Sequence, residues 1–119
     1  MKKILIVEDN EQNLYLMQYM LEKTGYSVVV ARTGGEGVAM AVKERPDLIL
    51  MDIQLPDMDG LEVTRRIRAS EADDQIPIVA VTSFAMAGDR EKALAAGCTG
   101  YIEKPIDPET FLNEVEKYV

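Results

Sequence analysis

The sequence predicts an α/β domain, a parallel five-stranded sheet with crossover helices on both faces. Three observations carry that reading. Short apolar runs rich in β-branched residues alternate with segments of helical period. The helical segments carry start and stop signals at their ends. A chain of 119 residues that is 47% hydrophobic has room for one core and is too apolar for disorder.

The strands are read at Lys3–Val7, Ser27–Ala31, Leu48–Asp52, Ile78–Thr82 and Gly100–Ile102. Between the first two, Leu14, Met17 and Leu21 recur at helical spacing, and Gly25 stops the helix. The second helix opens with Thr33-Gly34-Gly35-Glu36, a capping-box spacing, and ends before Pro46. A third runs from about Leu61 to Ala69, and a fourth from about Asp89 to Ala96 with Gly97 as its stop. The last begins Asp107-Pro108, a capping acid followed by proline at the first helical position. Its apolar face is Phe111, Leu112, Val115, Tyr118 and Val119. Five βα units follow one another with no linker or repeat, so residues 1–119 are expected to form one domain with no output domain attached.

Composition removes several chemistries. Net charge is −8, a poor match to phosphate backbones, so nucleic-acid binding is not expected. No apolar run is long enough to span a membrane, and no signal-peptide cleavage site follows the start, which points to the cytoplasm. The chain has no histidine and one cysteine, which excludes histidine bases, structural zinc and an internal disulfide. Carboxylates, hydroxyls, lysine and a hard metal ion remain.

Those groups sit at strand ends. Glu8 and Asp9 close the first apolar run, Asp52 the third and Thr82 the fourth, and Lys104 follows the fifth. Ligands of open α/β sheets bind beyond the carboxyl ends of the strands, where strand order reverses. Singly, each residue has a plain explanation: Asp9 or Asn10 caps a helix, Thr82 ends a strand, Lys104 is a solvated loop residue. Asp52 is harder to dismiss, because a buried strand offers a carboxylate few partners. Two carboxylates about 4 Å apart repel by roughly 4 kcal/mol at an effective dielectric near 20. The cluster therefore calls for a cation, and Mg²⁺ suits it, with oxygen ligands and exchangeable waters. Asp52 then reads as a carboxylate nucleophile toward phosphorus, with Thr82 and Lys104 binding the phosphoryl oxygens.

Over its whole length the sequence resembles a response-regulator receiver domain. The matching pieces are Ile4-Leu5-Ile6-Val7-Glu8-Asp9-Asn10, Pro46-Asp47-Leu48-Ile49-Leu50-Met51-Asp52, Leu55-Pro56-Asp57-Met58-Asp59-Gly60, Val81-Thr82 and Lys104-Pro105. The stretch from Pro77 to Met86 most resembles stand-alone receivers of the bacterial cell-division regulator type, and hybrid-kinase receivers share much of it. The resemblance implies a flavodoxin-like (βα)5 three-layer sandwich with strand order 2-1-3-4-5. It implies Asp52 as phosphoacceptor, with Asp9 and the main-chain carbonyl of Gln54 as Mg²⁺ ligands and Glu8 acting through water. Thr82 follows the phosphoryl group, Lys104 is its ion partner, and Tyr101 is the switch aromatic; the Lys104-Pro105 bond is cis. Ser83 adds bulk where receivers often carry alanine or glycine. Phe84 and Gln54 occupy positions that tune water access, and Phe84 is expected to lengthen the phosphoryl lifetime.

The function this implies is a phosphorylation-controlled switch that is not a metabolite-turnover enzyme. The donor is a histidine kinase or histidine phosphotransfer protein. The downstream protein meets the face formed by the fourth helix, fifth strand and fifth helix. The alternative is a receiver excised from a hybrid histidine kinase or larger regulator. Other motifs fail on chemistry. Aligning Gly60 with a calcium-loop glycine puts Leu55 and Arg66 where oxygen ligands belong, so Asp57-Met58-Asp59-Gly60 reads as a turn launching the third helix. Gly34-Gly35-Glu36-Gly37 lacks dinucleotide-fingerprint spacing. Asp52-Ile53-Gln54 lacks the second acid of a haloacid-dehalogenase-type phosphatase. Cys98 reads as a small packed residue near a helix end.

Overall fold

The computed structural model describes residues 1–70, 76–83 and 88–119. Phe84 and Met86 lie outside the described residues, and with them the expectation that Phe84 guards the phosphoryl group. Five strands, β1 (Lys3–Val7), β2 (Ser27–Ala31), β3 (Leu48–Asp52), β4 (Ile78–Thr82) and β5 (Gly100–Glu103), alternate with five helices. The helices are α1 (Glu11–Thr24), α2 (Gly34–Glu44), α3 (Gly60–Ala69), α4 (Asp89–Ala96) and α5 (Pro108–Tyr118). All strand pairs are parallel, in the order β2-β1-β3-β4-β5. The fold class and strand order therefore match the expectation.

Burial on both sheet faces explains the near-continuous apolar runs. On one face Ile4, Ile6, Leu50, Val79 and Val81 pack against Leu14, Met17 and Leu21 of α1 and Phe111 and Val115 of α5. On the other, Leu5, Val7, Ile49, Met51 and Ala80 meet Ala41 of α2, Val63 and Ile67 of α3 and Ala93 of α4. Cys98 is buried in that second layer.

Caps set the helix limits. Asn10 caps α1 by accepting from the Asn13 amide at 3.0 Å, and Gly25 ends the helix in the left-handed region at φ 107°. Asp107 caps α5 by accepting from the Glu109 amide at 3.0 Å, with Pro108 following. At α2 the capping box is half made: Thr33 Oγ1 accepts from the Glu36 amide at 3.1 Å, while the Glu36 carboxylate meets the Thr33 hydroxyl. Two boundaries move by one residue. β5 reaches Glu103, which pairs with Thr82 although its side chain faces solvent. α3 begins at Gly60 because Asp59 caps it, accepting from the Leu61 amide at 2.7 Å.

Gly60 sits hard against the site. A side chain there would overlap the Asp52 carbonyl oxygen and the Ile53 Cα, so only glycine fits. Gly60→Ala is expected to cost about 1–3 kcal/mol, as overpacking does, seen as an earlier urea-unfolding midpoint.

Candidate functional site

Strand order reverses between β1 and β3, and the acids gather at their carboxyl ends. Glu8 leaves β1 at 1% exposure and Asp52 ends β3 at 4%, while Asp9 is exposed. One oxygen from each of Glu8, Asp9 and Asp52 lies within 4.8 Å of the others. Asn10 is the residue that caps α1, so the capping explanation does not account for Asp9.

Lys104 crosses from beyond β5 to meet the buried acids. Its Nζ stands 3.0 Å from Glu8 Oε1 and 3.3 Å from Asp52 Oδ1, and its side chain is 14% exposed. A solvated loop lysine has no such position. The Lys104-Pro105 bond is cis. The Gln54 amide donates to Asp52 Oδ1 at 3.2 Å, and the Asn10 amide donates to Glu8 Oε2 at 3.2 Å. Glu8 Oε1 is buried and, among the described residues, has no partner in hydrogen-bond alignment, although Lys104 is close.

The donor set bears on the metal. Three carboxylates against one ammonium leave two negative charges when all are ionised, and the donors are hard oxygens. The residues present fit a divalent cation such as Mg²⁺. The cleft they form is also lined by Asn13, Gln54 and Ser83.

Thr82 is buried at the end of β4, and it lines a neighbouring pocket with Ile53, Leu61, Lys92, Ala93 and Tyr101. Among the described residues of the β4–α4 connection, Ser83 lines the acidic cleft itself. Thr82 and Tyr101 thus line one pocket.

Burial is the main force raising the Asp52 pKa, from 3.8 to about 6; the Glu8 carboxylate pushes the same way. Lys104 and the Gln54 amide pull it down without prevailing. Between these two values the folded protein holds a proton that the unfolded chain has released. Stability is therefore full below pH 4 as far as this group is concerned, and falls as pH rises through about 6. Urea unfolding with a chelator present is expected to show that loss, and Mg²⁺ to reverse it most strongly above pH 6.

The sequence matches the family described as the response regulator receiver domain over residues 4–116. The chain belongs to this family. It is 45% identical over 118 residues to the polar-differentiation response regulator DivK of Brucella anthropi, covering 99% of this chain and 96% of that protein. Vibrio cholerae CheY4 superimposes with a TM-score of 0.94 at 31% identity, covering 100% of this chain and 99% of that one. The receiver domain of the sensor histidine kinase PA1611 from Pseudomonas aeruginosa PAO1 has a TM-score of 0.90 at 39% identity, covering 98% and 96%. That domain was crystallised with a magnesium ion coordinated in its active-site cleft. The chain is a CheY-like receiver of two-component signalling, similar to the stand-alone regulator DivK. Among the described residues, no helix is long and apolar enough to cross a membrane.

Proposed function

We propose that this receiver takes a phosphoryl group from a partner's phosphohistidine onto Asp52 and changes its protein-binding face in response. The observation that carries the reading is a nearly buried carboxylate at the sheet's switch point, flanked by two acids and met by Lys104. Glu8 through water, with Asp9, Asp52 and the main-chain carbonyl of Gln54, would hold Mg²⁺. Bound there, Mg²⁺ offsets the carboxylates' charge and that of the incoming phosphoryl oxygens.

An Asp52 oxygen attacks phosphorus in line; the new P–O bond replaces the P–N bond, and the imidazole nitrogen leaves with the electron pair. Lys104 already stands beside Asp52 and meets the added charge without reorganisation. Thr82 turns its hydroxyl toward the phosphoryl group, and Tyr101, in the same pocket, follows it inward. The face built by α4, β5 and α5 then binds its downstream protein differently, a two-state shift biased by phosphoryl contacts.

The phosphodonor is a histidine kinase or a histidine phosphotransfer protein. The chain acts as a phosphoacceptor in the cytoplasm rather than as an enzyme of metabolite turnover. Its net charge of −8 argues against a nucleic-acid partner. Likeness to DivK over nearly the whole of both chains supports a receiver domain spanning residues 1–119. A second reading, a receiver working within a hybrid kinase or larger regulator, draws on likeness to the PA1611 receiver.

Incubation with Mg²⁺ and acetyl phosphate tests the assignment. Wild type is expected to gain the mass of one phosphoryl group and Asp52→Asn none. Equal labelling of both overturns it.

A further inference from the structure

The loop that follows the phosphoacceptor is tied to a helix that takes no part in the site described above. Asp57 reaches from that loop to the start of α2, where Oδ1 accepts from the Gly34 amide at 2.7 Å and Oδ2 from the Gly35 amide at 3.0 Å. These are two of the donors that a helix N-terminus leaves without intrahelical partners. The Thr33 hydroxyl serves a third, accepting from the Glu36 amide, and the Thr33 carbonyl takes the first regular helical bond, from Gly37. The α2 terminus is thus completed by an acid from another element. Met58 closes over the same point, because a side chain at Gly34 would strike Met58 and Val63.

At its other end the loop is closed on itself. Gln54 and Asp59 form an antiparallel bridge, and the Gly60 amide donates to the Ile53 carbonyl at 2.8 Å. Gln54, in this neck, lines the acidic cleft and donates its amide to Asp52. The neck anchors the loop at its base; the Asp57 tie adds a second anchor, on α2, near its tip.

We propose that Asp57 is a positioning residue of the phosphoryl site: by bonding the first two amides of α2 it fixes the loop that presents Gln54 to the divalent cation. The inference rests on the proposed function for its metal ligands. Asp57 touches neither cation nor phosphoryl group. It acts as the outer partners of metal ligands do, by holding a ligand-bearing segment in the geometry that binding needs.

Calorimetric titration of the full chain with Mg²⁺ tests this without requiring any reaction. Asp57→Ala is expected to weaken Mg²⁺ binding by about tenfold, the usual loss when a ligand's support is removed. Asp57→Asn keeps one acceptor and is expected to fall between; it decides the matter if the alanine variant does not fold. Thr33→Ala weakens the same helix end without touching the loop, and is expected to bind Mg²⁺ as wild type does. In wild type the Gly34 and Gly35 amide NMR signals are expected to shift with the same half-saturation as that of Gln54. Unchanged affinity in Asp57→Ala overturns the inference, as does an equal loss in Thr33→Ala, which would make Asp57 merely a prop for α2. If wild type binds Mg²⁺ yet takes no phosphoryl group, the proposed function fails and the positioning role stands. If wild type binds no Mg²⁺, both fail.

Discussion

Asp52→Asn is expected to be more stable than wild type at pH 8 without Mg²⁺, while taking up no phosphoryl group. At that pH the Asp52 carboxylate is ionised, 4% exposed and beside Glu8. Its rise from 3.8 to about 6 corresponds to a cost on the order of 2–3 kcal/mol for holding the charge in place. Asparagine keeps an acceptor for the Gln54 amide, removes the repulsion with Glu8 and leaves Lys104 to pair with Glu8 alone. Adding Mg²⁺ is expected to narrow or invert the order, because wild type has the fuller ligand set. Urea unfolding at pH 8, with and without Mg²⁺, reads both effects. A variant less stable than wild type in chelator would contradict the account of a site held under charge strain.

Lys104→Met is expected to do the opposite on the first count and fail on the second. Lys104 is the cation that both buried acids meet, and Glu8 at 1% exposure has no solvent to replace it. Leaving buried charge without its partner costs about 3 kcal/mol. Loss of Lys104 also removes one of the two influences that hold the Asp52 pKa down. Labelling by acetyl phosphate in saturating Mg²⁺ is expected to slow by roughly 100-fold or more, because a preorganised charge at the transferring group is gone. Lys104→Arg restores charge in a bulkier planar head and is expected to recover part of the stability and little of the rate. Stability and rate that both match wild type in Lys104→Met would remove Lys104 from the site.

Most of the architecture was legible because it depends on local signals. Strand and helix limits followed from apolar runs and from caps such as Asn10, Thr33 and Asp107, and they moved by a single residue where pairing continued beneath the polar side chain of Glu103. The convergence of Glu8, Asp9, Asp52 and Lys104 was legible for a similar reason, since parallel strands put their carboxyl ends on one edge. What escaped the sequence depended on local turns and on contacts between elements distant in the chain. The Gln54 amide bond to Asp52 arises from a turn rather than a motif. Asp57 read as part of a turn before α3, which it is, yet its carboxylate is spent on α2, and nothing in the spacing of residues 34 and 57 announces that.

The sharpest test of the central claim is mapping the modified residue after transfer from a phosphohistidine donor. A phosphorylated histidine phosphotransfer protein mixed with wild type in Mg²⁺ is expected to place one phosphoryl group on the peptide containing Asp52, and a chelator to prevent it. Modification elsewhere in the chain, or equal modification in chelator, would contradict it.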